Sequence, residues 1–434
     1  MADRMTIAVL LPPSPKLIAP SPSEQKGLSW LLSMSNQDGG IAAANPGDPS
    51  GPWTTSVAIS AIVYGNSDST VLSGMVNYLL GSQISSAEND GSWPLVSDLN
   101  PSTLATADCL RALVAVERAQ PHGVDVTSVA AAKGRAVSWL LTNQLPNGGW
   151  PEGSKVRGQR DSLFASCSAF MALVGCEAMP AQARQRATNY ILSLHDANSG
   201  GWRQATVSGI HEQPVTVSDT ARTVVCLLSY TDLNADNQII ASGVKFLRRS
   251  VRTLGNVRSQ KVTTAVYGAG ESVVNNNSVC DVAIGLAIAE RKMRRSLAKV
   301  VVFLDSSFDH ALGIWNLQDK NHSESITTWP TGDWLLTLAA IRQLLQKPNE
   351  ATLRKARWIL AIPWVVLALA VTGASILGWR NHDVIETSWL ALPQNTRTLI
   401  VWGVVVALVV GVAAAALWDS TKLLWNKVKE RSRR

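Results

Sequence analysis

The feature of this sequence that most constrains its fold is a phrase that recurs at a near-constant spacing. In its fullest copy, Trp139–Pro151 (WLLTNQLPNGGWP), an aromatic residue and two leucines precede a glutamine, a glycine-rich turn and a tryptophan. The copies open at Trp30, Tyr78, Trp139, Tyr190, Phe246 and Phe303, with spacings of 48, 61, 51, 56 and 57 residues. The last two copies are degenerate, and His195 replaces the glutamine in the fourth. Six copies predict a repeat architecture, because one such unit cannot bury its apolar face alone.

A second kind of helix is predicted between consecutive copies. These segments are rich in small residues and apolar nearly all round, which indicates burial on every side, whereas the phrase-bearing helices are amphipathic. The predicted buried helices are 53–65, 101–117, 161–176, 216–230, 277–290 and 327–346. We therefore expect six pairs of one half-exposed and one buried helix, closed into a ring with the buried helices inside.

The phrase resembles the QW motif of squalene and oxidosqualene cyclases. The alternation of helices resembles the α/α toroid that these cyclases share with protein prenyltransferase β-subunits and complement-like thioester domains. The resemblance covers about residues 22–346. It implies an all-α fold, an (α/α)6 toroid, preceded by a disordered leader at 1–21. It is specific for the fold and not for the chemistry, because one fold hosts many activities.

The catalytic acid of the cyclases has no complete match in this sequence. The resemblance implies a DxDD- or DCTAE-type motif at the start of an inner helix. The nearest match is Thr216–Ala221 (TVSDTA), in which Ser218 stands where the protonating aspartate is expected. Thr106–Cys109 echoes the second motif more loosely. A hydroxyl group cannot protonate an alkene or epoxide, so we expect that class II cyclisation is lost.

The zinc site of the prenyltransferases is also incomplete. The resemblance implies Asp, Cys and His ligands at the starts of two late inner helices. Cys280 matches the cysteine, but Ser278 replaces the aspartate, Asp333 falls near the expected histidine, and His322 lies too early. One ligand in three predicts no metal site. Cys280 is then a small buried side chain, or one wall of another site.

Aspartates recur at equivalent positions of the predicted inner helices. When the helices are aligned on Leu113, Leu286 and Leu338, an aspartate lies five residues earlier in each. These aspartates interact favourably with the helix dipole, or they converge on one mouth of the ring and bind a cation, a metal-bound diphosphate or a polar ligand. The candidate ligand-binding residues are Asp108, Asp219, Arg222, Cys280, Asp281, Trp329, Asp333 and Trp334, with Lys261 as a further candidate; no catalytic residue is assigned.

Two further segments are noted for their composition. The loop 255–277 is long and polar enough to act as a lid or to be disordered. The run Glu290–Arg295 is interpreted as an exposed helix junction rather than a docking site. The five cysteines form no CxxC pair and lie mostly in apolar runs, which indicates a reducing compartment.

The composition changes after residue 346. Segments 358–379 and 398–418 contain no charged residue over 22 and 21 positions, enough for two membrane-spanning helices with tryptophans near their ends. The alternative is a buried hairpin in a soluble core. The basic linker 347–357 and the tail 419–434 carry net charges of +3 and +4, which account for the total of +7.

This charge distribution predicts a membrane orientation and excludes a nucleic-acid footprint. The loop 380–397 is neutral, so the toroid, linker and tail are expected in the cytoplasm and the loop outside it. The expected location is the cytoplasmic (inner) membrane. Membrane lipids are the expected partners, and the basic tail could also contact anionic headgroups.

Two functions from different classes fit this layout. In the first, the toroid has lost family catalysis and senses a small molecule or protein in its cavity. The transmembrane hairpin is then the effector, with homo-oligomers formed through it, as in bacterial signalling and antiviral defence. In the second, the protein is a membrane-bound enzyme that acts on an isoprenoid, a polyprenyl diphosphate or another lipid. No cofactor is expected in the first case, and Mg²⁺ in the second. A plain scaffold is the third possibility.

Overall fold

The computed structural model describes residues 20–42, 47–65, 71–95, 100–153, 161–204, 214–252, 261–266, 270–275, 278–315, 328–345 and 349–380. The chain divides into two compact units, Met1–Ala356 and Arg357–Arg434. Most of the predicted leader lies outside the described residues. Ser21, at its end, caps the first helix, because its hydroxyl accepts a hydrogen bond from the backbone N–H of Glu24 at 3.3 Å.

Two sets of helices alternate along the first unit. The outer helices carry the recurring phrase and are α1 Pro22–Ser33, α3 Leu72–Gly81, α5 Val126–Asn143, α7 Ala181–Ser193, α9 Gln238–Ser250 and α11 Arg295–Ser306. The inner helices lie between them and are α2 Pro52–Gly65, α4 Thr103–Ala119, α6 Leu163–Gly175, α8 Val217–Tyr230, α10 Ser278–Glu290 and α12 Thr328–Leu344. The predicted buried helices are confirmed with small shifts at their ends.

The six inner helices form a closed ring. Each packs against the inner helix before it and the one after it, and α12 packs against α2. Each outer helix packs on the inner helix that precedes it, and α1 completes the pattern by packing on α12. The prediction of a closed α/α toroid is therefore confirmed.

The two sets of helices are buried as their sequences predict. In α6 (LFASCSAFMALVG) nearly every residue is buried, because neighbouring inner helices cover two of its sides and outer helices a third. Its alanines and serines allow this close approach. In α5 the buried residues are Val129, Ala132, Ala136, Trp139, Leu140 and Asn143, which form one face at helical spacing. The other face of α5 remains in solvent.

The tryptophan of the recurring phrase makes the same contact in each copy that carries it. Its indole N–H donates a hydrogen bond to a carbonyl near the end of the outer helix in the same repeat. The pairs are Trp93–Leu79 at 2.7 Å, Trp150–Leu140 at 2.7 Å, Trp202–Ile191 at 2.9 Å and Trp315–Leu304 at 3.1 Å. All four side chains are fully buried, so each fixes the turn to its own outer helix.

The glutamine of the phrase joins each repeat to the next. The side chain of Gln144 donates to the carbonyl of Gly148 in its own turn at 3.0 Å and to that of Ala183 in α7 at 3.1 Å. Gln83 makes the equivalent pair of bonds to its turn and to α5. His195 takes this place in the fourth repeat, since its Nε2 lies 2.8 Å from the hydroxyl of Ser242 in α9.

Short β-ladders connect the outer helices to the inner ones, which an all-helical prediction did not include. The two-residue ladders are β1 Trp93–Pro94 with β2 Pro101–Ser102, β3 Trp150–Pro151 with β4 Asp161–Ser162, β5 Trp202–Arg203 with β6 Val215–Thr216, and β9 Phe308–Asp309 with β10 Ile314–Trp315. Within the predicted loop 255–277, β7 Lys261–Val266 and β8 Gly270–Asn275 pair as an antiparallel hairpin. The fold is therefore mostly helical, and the ladders arise because each turn reverses the chain tightly.

A last helix, α13 Asn349–Arg380, begins inside the segment predicted as a linker. Its residues Trp358, Ile362, Trp364, Val365, Val366 and Leu367 are exposed. Within the part of the chain that the structure describes, no helix is both long and apolar enough to cross a bilayer. The second predicted span 398–418, the tail 419–434 and nearly all of the loop 380–397 lie outside the described residues. The transmembrane hairpin remains a prediction.

Candidate ligand-binding site in the inner ring

The same hydrogen bond recurs near the start of the inner helices and aligns them with one another along the axis of the ring. Near the start of five inner helices, a Ser or Thr hydroxyl accepts a hydrogen bond from the backbone N–H of the preceding turn. The acceptors are Thr55, Thr106, Ser166, Thr220 and Thr331, and the donors are Ile41, Trp93, Trp150, Trp202 and Trp315, at 2.8–3.1 Å. Because the turns repeat, residues at the same offset from these hydroxyls lie at the same level of the ring.

The level two residues further along these helices carries four charged side chains. It is formed by Val57, Asp108, Ser168, Arg222 and Asp333, and by Asp281 in α10, which the leucine alignment places there. We call these six residues the polar ring. For Asp108 and Asp333 the leucine alignment agrees with this level, and Arg222 rather than Asp219 is their counterpart in α8.

Arg222 connects three neighbouring inner helices. Its Nη1 lies 3.5 Å from both carboxylate oxygens of Asp281 in α10, and its Nη2 donates to the hydroxyl of Ser168 in α6 at 3.1 Å. Its guanidinium carbon lies 4.0 Å from the centre of the Phe164 ring, a cation–π arrangement. The Nε–H is buried and donates to no group in the described part of the chain. The guanidinium therefore keeps hydrogen-bonding capacity.

Asp108 is held on the opposite side of the ring. One carboxylate oxygen accepts from the indole N–H of Trp53 in α2 at 2.9 Å, and the other from Arg111, one helical turn further, at 3.0 Å. These neutral and charged donors fix the carboxylate in one orientation. The side chains of Asp108, Arg111, Arg222 and Asp281 remain 14%, 17%, 14% and 19% exposed, so none of the four is fully covered by the protein.

The charges of the polar ring influence one another across its centre. Burial alone would lower the pKa of Arg222, but the carboxylates of Asp281, Asp108 and Asp333 raise it above its usual value. Burial raises the pKa of Asp281, and the guanidinium groups of Arg222 and Arg111 oppose that effect. Since α4 does not neighbour α8 or α10, these side chains face the common centre rather than a helix interface.

Asp219 lies one turn nearer the start of α8 and has a structural partner. The hydroxyl of Thr216 donates to its carboxylate at 2.6 Å and accepts from its backbone N–H at 2.9 Å, which is a helix-capping arrangement. Burial raises the pKa of Asp219 to about 6, with Thr216 and Arg222 opposing and Asp281 adding to the shift. Thr216 is thus the N-cap of α8, and the carboxylate of Asp219 is held by its hydroxyl, while the charges of the polar ring also affect the pKa of Asp219.

The remaining candidate residues fall in different places. Cys280 is buried beside Asp281 in the first turn of α10. Trp334 points away from the ring centre: its indole N–H donates to the carbonyl of Leu304 at 3.2 Å, and its ring stacks on Phe308 at 4.5 Å. Trp334 therefore belongs to the packing of α12 on α11, and we leave it out of the site. The side chains of Trp329 and Lys261 lie outside the described residues.

Sequence reasoning missed Arg111, Ser168, Phe164 and Trp53. A hydroxyl residue lies two positions before Asp108, at Thr106, and this signal could have identified two more members of the polar ring. Ser166 and Thr220 stand in the same way two positions before Ser168 and Arg222. Nothing in the sequence pairs Trp53 with Asp108. Among the described residues, no three or more His, Cys, Asp or Glu side chains are grouped so as to hold a metal ion.

Comparison with known proteins shows the fold alone. No protein-family model and no curated protein matches this chain. Among solved structures, the alpha-1,6-mannanase GH76A from Salegentibacter is similar with a TM-score of 0.53 and 11% identity, over 74% of this chain and 98% of the mannanase. The type II terpene cyclase MstE from Scytonema, bound to geranylgeranyl dihydroxybenzoate, has a TM-score of 0.48 and 16% identity. The similarity covers 74% of this chain and 97% of the cyclase.

A third structure, a protein from Actinoplanes, gives a TM-score of 0.49 and 14% identity over 74% of this chain and 98% of that protein. The mannanase is an α/α toroid, and its similarity agrees with the closed ring that the helix contacts form. At these identities no activity follows for this chain. The described part of residues 22–345 is an α/α toroid.

Proposed function

We propose that the toroid is a ligand-binding module and that the polar ring binds a small polar molecule. The observation that carries this proposal is the state of Arg222. It is held by Ser168, Phe164 and Asp281, yet it keeps a buried Nε–H that donates to no described group and two contacts of 3.5 Å, longer than good charge-assisted hydrogen bonds. A ligand with hydrogen-bond acceptors would complete this coordination.

The chemistry of the ring restricts the ligand. Asp108, Asp281 and Asp333 outnumber Arg222 and Arg111, so the ring favours a neutral or cationic ligand with several hydroxyl or amino groups over a free anion. Carboxylates accept from such groups, and the guanidinium donates to them. Mg²⁺ bound to a diphosphate is less favoured, because the described acidic side chains form no group of three that could hold a metal.

In this proposal the toroid senses its ligand and the C-terminal apolar segments respond to it. The support is the layout: a closed ring is followed by α13 and by the uncharged segments 358–379 and 398–418. The location remains the cytoplasmic membrane, with the toroid and tail in the cytoplasm and homo-oligomers formed through the hairpin. Signalling or antiviral defence is then the expected biological role.

The ligand-binding step is tested with the full-length chain in detergent. We would measure the melting temperature with four probes: mannotriose, spermidine, inorganic pyrophosphate, and geranylgeranyl diphosphate with Mg²⁺. We expect a neutral or cationic probe to raise it, and Arg222→Met and Asp281→Asn to abolish the rise. Arg252→Met, at an exposed arginine of the same chain, is the matched control. A rise that survives Arg222→Met would contradict the proposal.

The effector step is tested by expression in bacteria. We expect growth arrest that requires residues 358–418. Deletion of 358–418 should abolish the arrest while the toroid still accumulates. Growth arrest by the toroid without these residues would contradict a membrane effector.

A second candidate function is a membrane-bound enzyme that acts on an isoprenoid or polyprenyl diphosphate. Asp219 favours it, because an acid whose pKa is about 6 is still protonated in about a tenth of the molecules at pH 7, whereas an ordinary aspartate is almost fully ionised, so it can act as a general acid. Purified chain would be incubated with polyprenyl diphosphates and Mg²⁺. Turnover that is lost in Asp281→Ala or Asp333→Ala would establish the enzyme and overturn our first choice.

A further inference from the structure

The inner helices all run in the same direction, so their C-terminal ends lie on one face of the toroid. Each inner helix starts after a phrase-bearing turn and ends at the connection to the next outer helix. This face therefore carries the α10–α11 connection and, in the neighbouring repeat, the end of α12, after which α13 begins at Asn349. We call it the C-terminal face.

The C-terminal face carries exposed basic residues in these two neighbouring connections. They are Arg291, Lys292, Arg294 and Arg295 at the α10–α11 connection, and Arg354 and Lys355 in the first turns of α13. We call these six residues the basic sector. Within the connection, Met293 is buried and Glu290 is buried and paired with Arg248, so the basic side chains project outward from an anchored turn.

The connections that follow α4, α6 and α8 on the same face carry exposed residues of the opposite charge. Asp125 in the α4–α5 connection, Glu177 after α6, and Asp232 and Asp236 between α8 and α9 are all exposed. Arg118, which is exposed there, donates to the carbonyl of Gly175 at 3.3 Å. The C-terminal face is therefore divided into an acidic side and a basic side, and the basic side is where α13 begins.

We propose that the basic sector binds the anionic headgroups of a phospholipid bilayer. Several lysines and arginines close together on an exposed surface attract such headgroups without a shaped pocket. Immediately after the basic sector the chain continues into residues whose large apolar side chains are exposed, with Trp358, Ile362 and Trp364 at 49%, 51% and 55%. Basic residues followed by tryptophan and aliphatic residues are typical of a lipid interface. A nucleic-acid surface binds phosphates through its basic residues and does not require an exposed apolar run.

This inference does not depend on the polar ring, nor on whether the apolar segments span the bilayer. It concerns how the toroid itself is oriented, with its basic sector on the membrane and its acidic side turned away. Repulsion between the acidic side and anionic lipid would reinforce the same orientation.

The test is hydrogen–deuterium exchange on the full-length chain, mixed with or reconstituted into vesicles of phosphatidylcholine alone or with one quarter phosphatidylglycerol. We expect backbone amides of the α10–α11 connection to exchange about tenfold more slowly on the anionic vesicles, with the difference lost at high salt. The variant Arg291→Gln/Lys292→Gln/Arg294→Gln/Arg295→Gln should show no difference between the vesicles. Asp232→Asn/Asp236→Asn, at the acidic side, is the matched control and should keep it.

Arg294→Gln/Arg295→Gln provides a milder variant if the fourfold change impairs folding, which the melting temperature would reveal. It should lose most of the effect, at about fivefold in lipid affinity for each basic residue. Equal exchange on both vesicles would overturn the inference, as would slow exchange that survives these substitutions. Slowing by duplex DNA without any effect of lipid would assign the surface to nucleic acid and also overturn it.

Discussion

Arg342, near the end of the last inner helix, forms an ion pair with Glu24 in the first turn of the first outer helix. The two side chains are only 2% and 3% exposed. The second oxygen of the Glu24 carboxylate accepts from the backbone N–H of Ser21 at 2.8 Å, so the same side chain caps α1. One residue thus connects the start of the toroid to its end, at the seam where the ring closes.

Removal of one partner of this ion pair is expected to destabilise the toroid strongly. Arg342→Met leaves the Glu24 carboxylate buried without its cation, which costs about 3–5 kcal/mol in comparable buried pairs. The measurement is the melting temperature and the denaturant midpoint of the full-length chain. The double variant Glu24→Gln/Arg342→Met should recover part of the loss, because no uncompensated charge remains. A loss below about 1 kcal/mol for Arg342→Met would show that the seam is closed by apolar packing alone.

Two glycines of the same repeat should respond in opposite directions to alanine. Gly148 has φ +96°, and a Cβ there would lie 2.3 Å from the backbone oxygen of Arg186, so Gly148→Ala should cost more than about 2 kcal/mol. Gly134 lies in α5 with no atom within 4 Å of an added Cβ, so Gly134→Ala should stabilise by about 0.5–1 kcal/mol. Both are measured by chemical unfolding. If the two substitutions changed the free energy of unfolding equally, the positive φ and the close approach at Gly148 would be contradicted.

Substitutions at Gln144 and at His195 test the contact that the glutamine of the phrase makes with the next repeat. Gln144→Ala leaves the buried carbonyls of Gly148 and Ala183 without this donor and should cost about 2–3 kcal/mol. His195→Gln restores the usual residue of the phrase and should change the free energy of unfolding by less than about 1 kcal/mol. His195→Ala should cost more than His195→Gln. If the two His195 variants were equal, the histidine would not act as the replacement that its contact with Ser242 indicates.

The raised pKa of Asp219 predicts a pH dependence of stability. Its folded pKa of about 6 lies above its usual value near 4, so between these pH values the folded chain binds more protons than the unfolded chain. The free energy of unfolding should therefore fall as the pH rises from about 4 through 6. Asp219→Asn removes this contribution and should be more stable than the wild type at pH 7.5 by about 2 kcal/mol.

The comparison is the melting temperature of the two chains from pH 4 to pH 8. The difference should shrink as the pH falls towards 4, where Asp219 is protonated in the folded chain and about half protonated in the unfolded chain. Asp281, whose pKa burial also raises, contributes to the slope of both chains, so the difference reports Asp219 together with its interaction with Asp281. A difference that does not change with pH would mean that the substitution acts through the cap of α8 and not through the charge.

Much of the architecture could be predicted from the sequence, because the contacts that define one repeat are short in range. The tryptophan bonds to the helix just before it, and the Ser and Thr caps bond to the next turn, so the same residues recur wherever the same turn is built. The buried helices were predicted for a similar reason: a helix that is apolar all round must be covered on all sides.

The sequence by itself therefore determined the repeat, the two kinds of helix and the level of Asp108, Asp281 and Asp333. Only the tertiary structure decided which charges meet. Arg222 pairs with Asp281, Asp108 with Trp53, and Arg342 with Glu24, because ring closure brings together residues far apart in the chain. It also turned Trp334 towards Phe308 and away from the centre, since the rotation of α12 depends on how it packs on α11 and α1. Local patterns determine the helices and the turn of each repeat, and packing around the closed ring determines which partners the side chains contact.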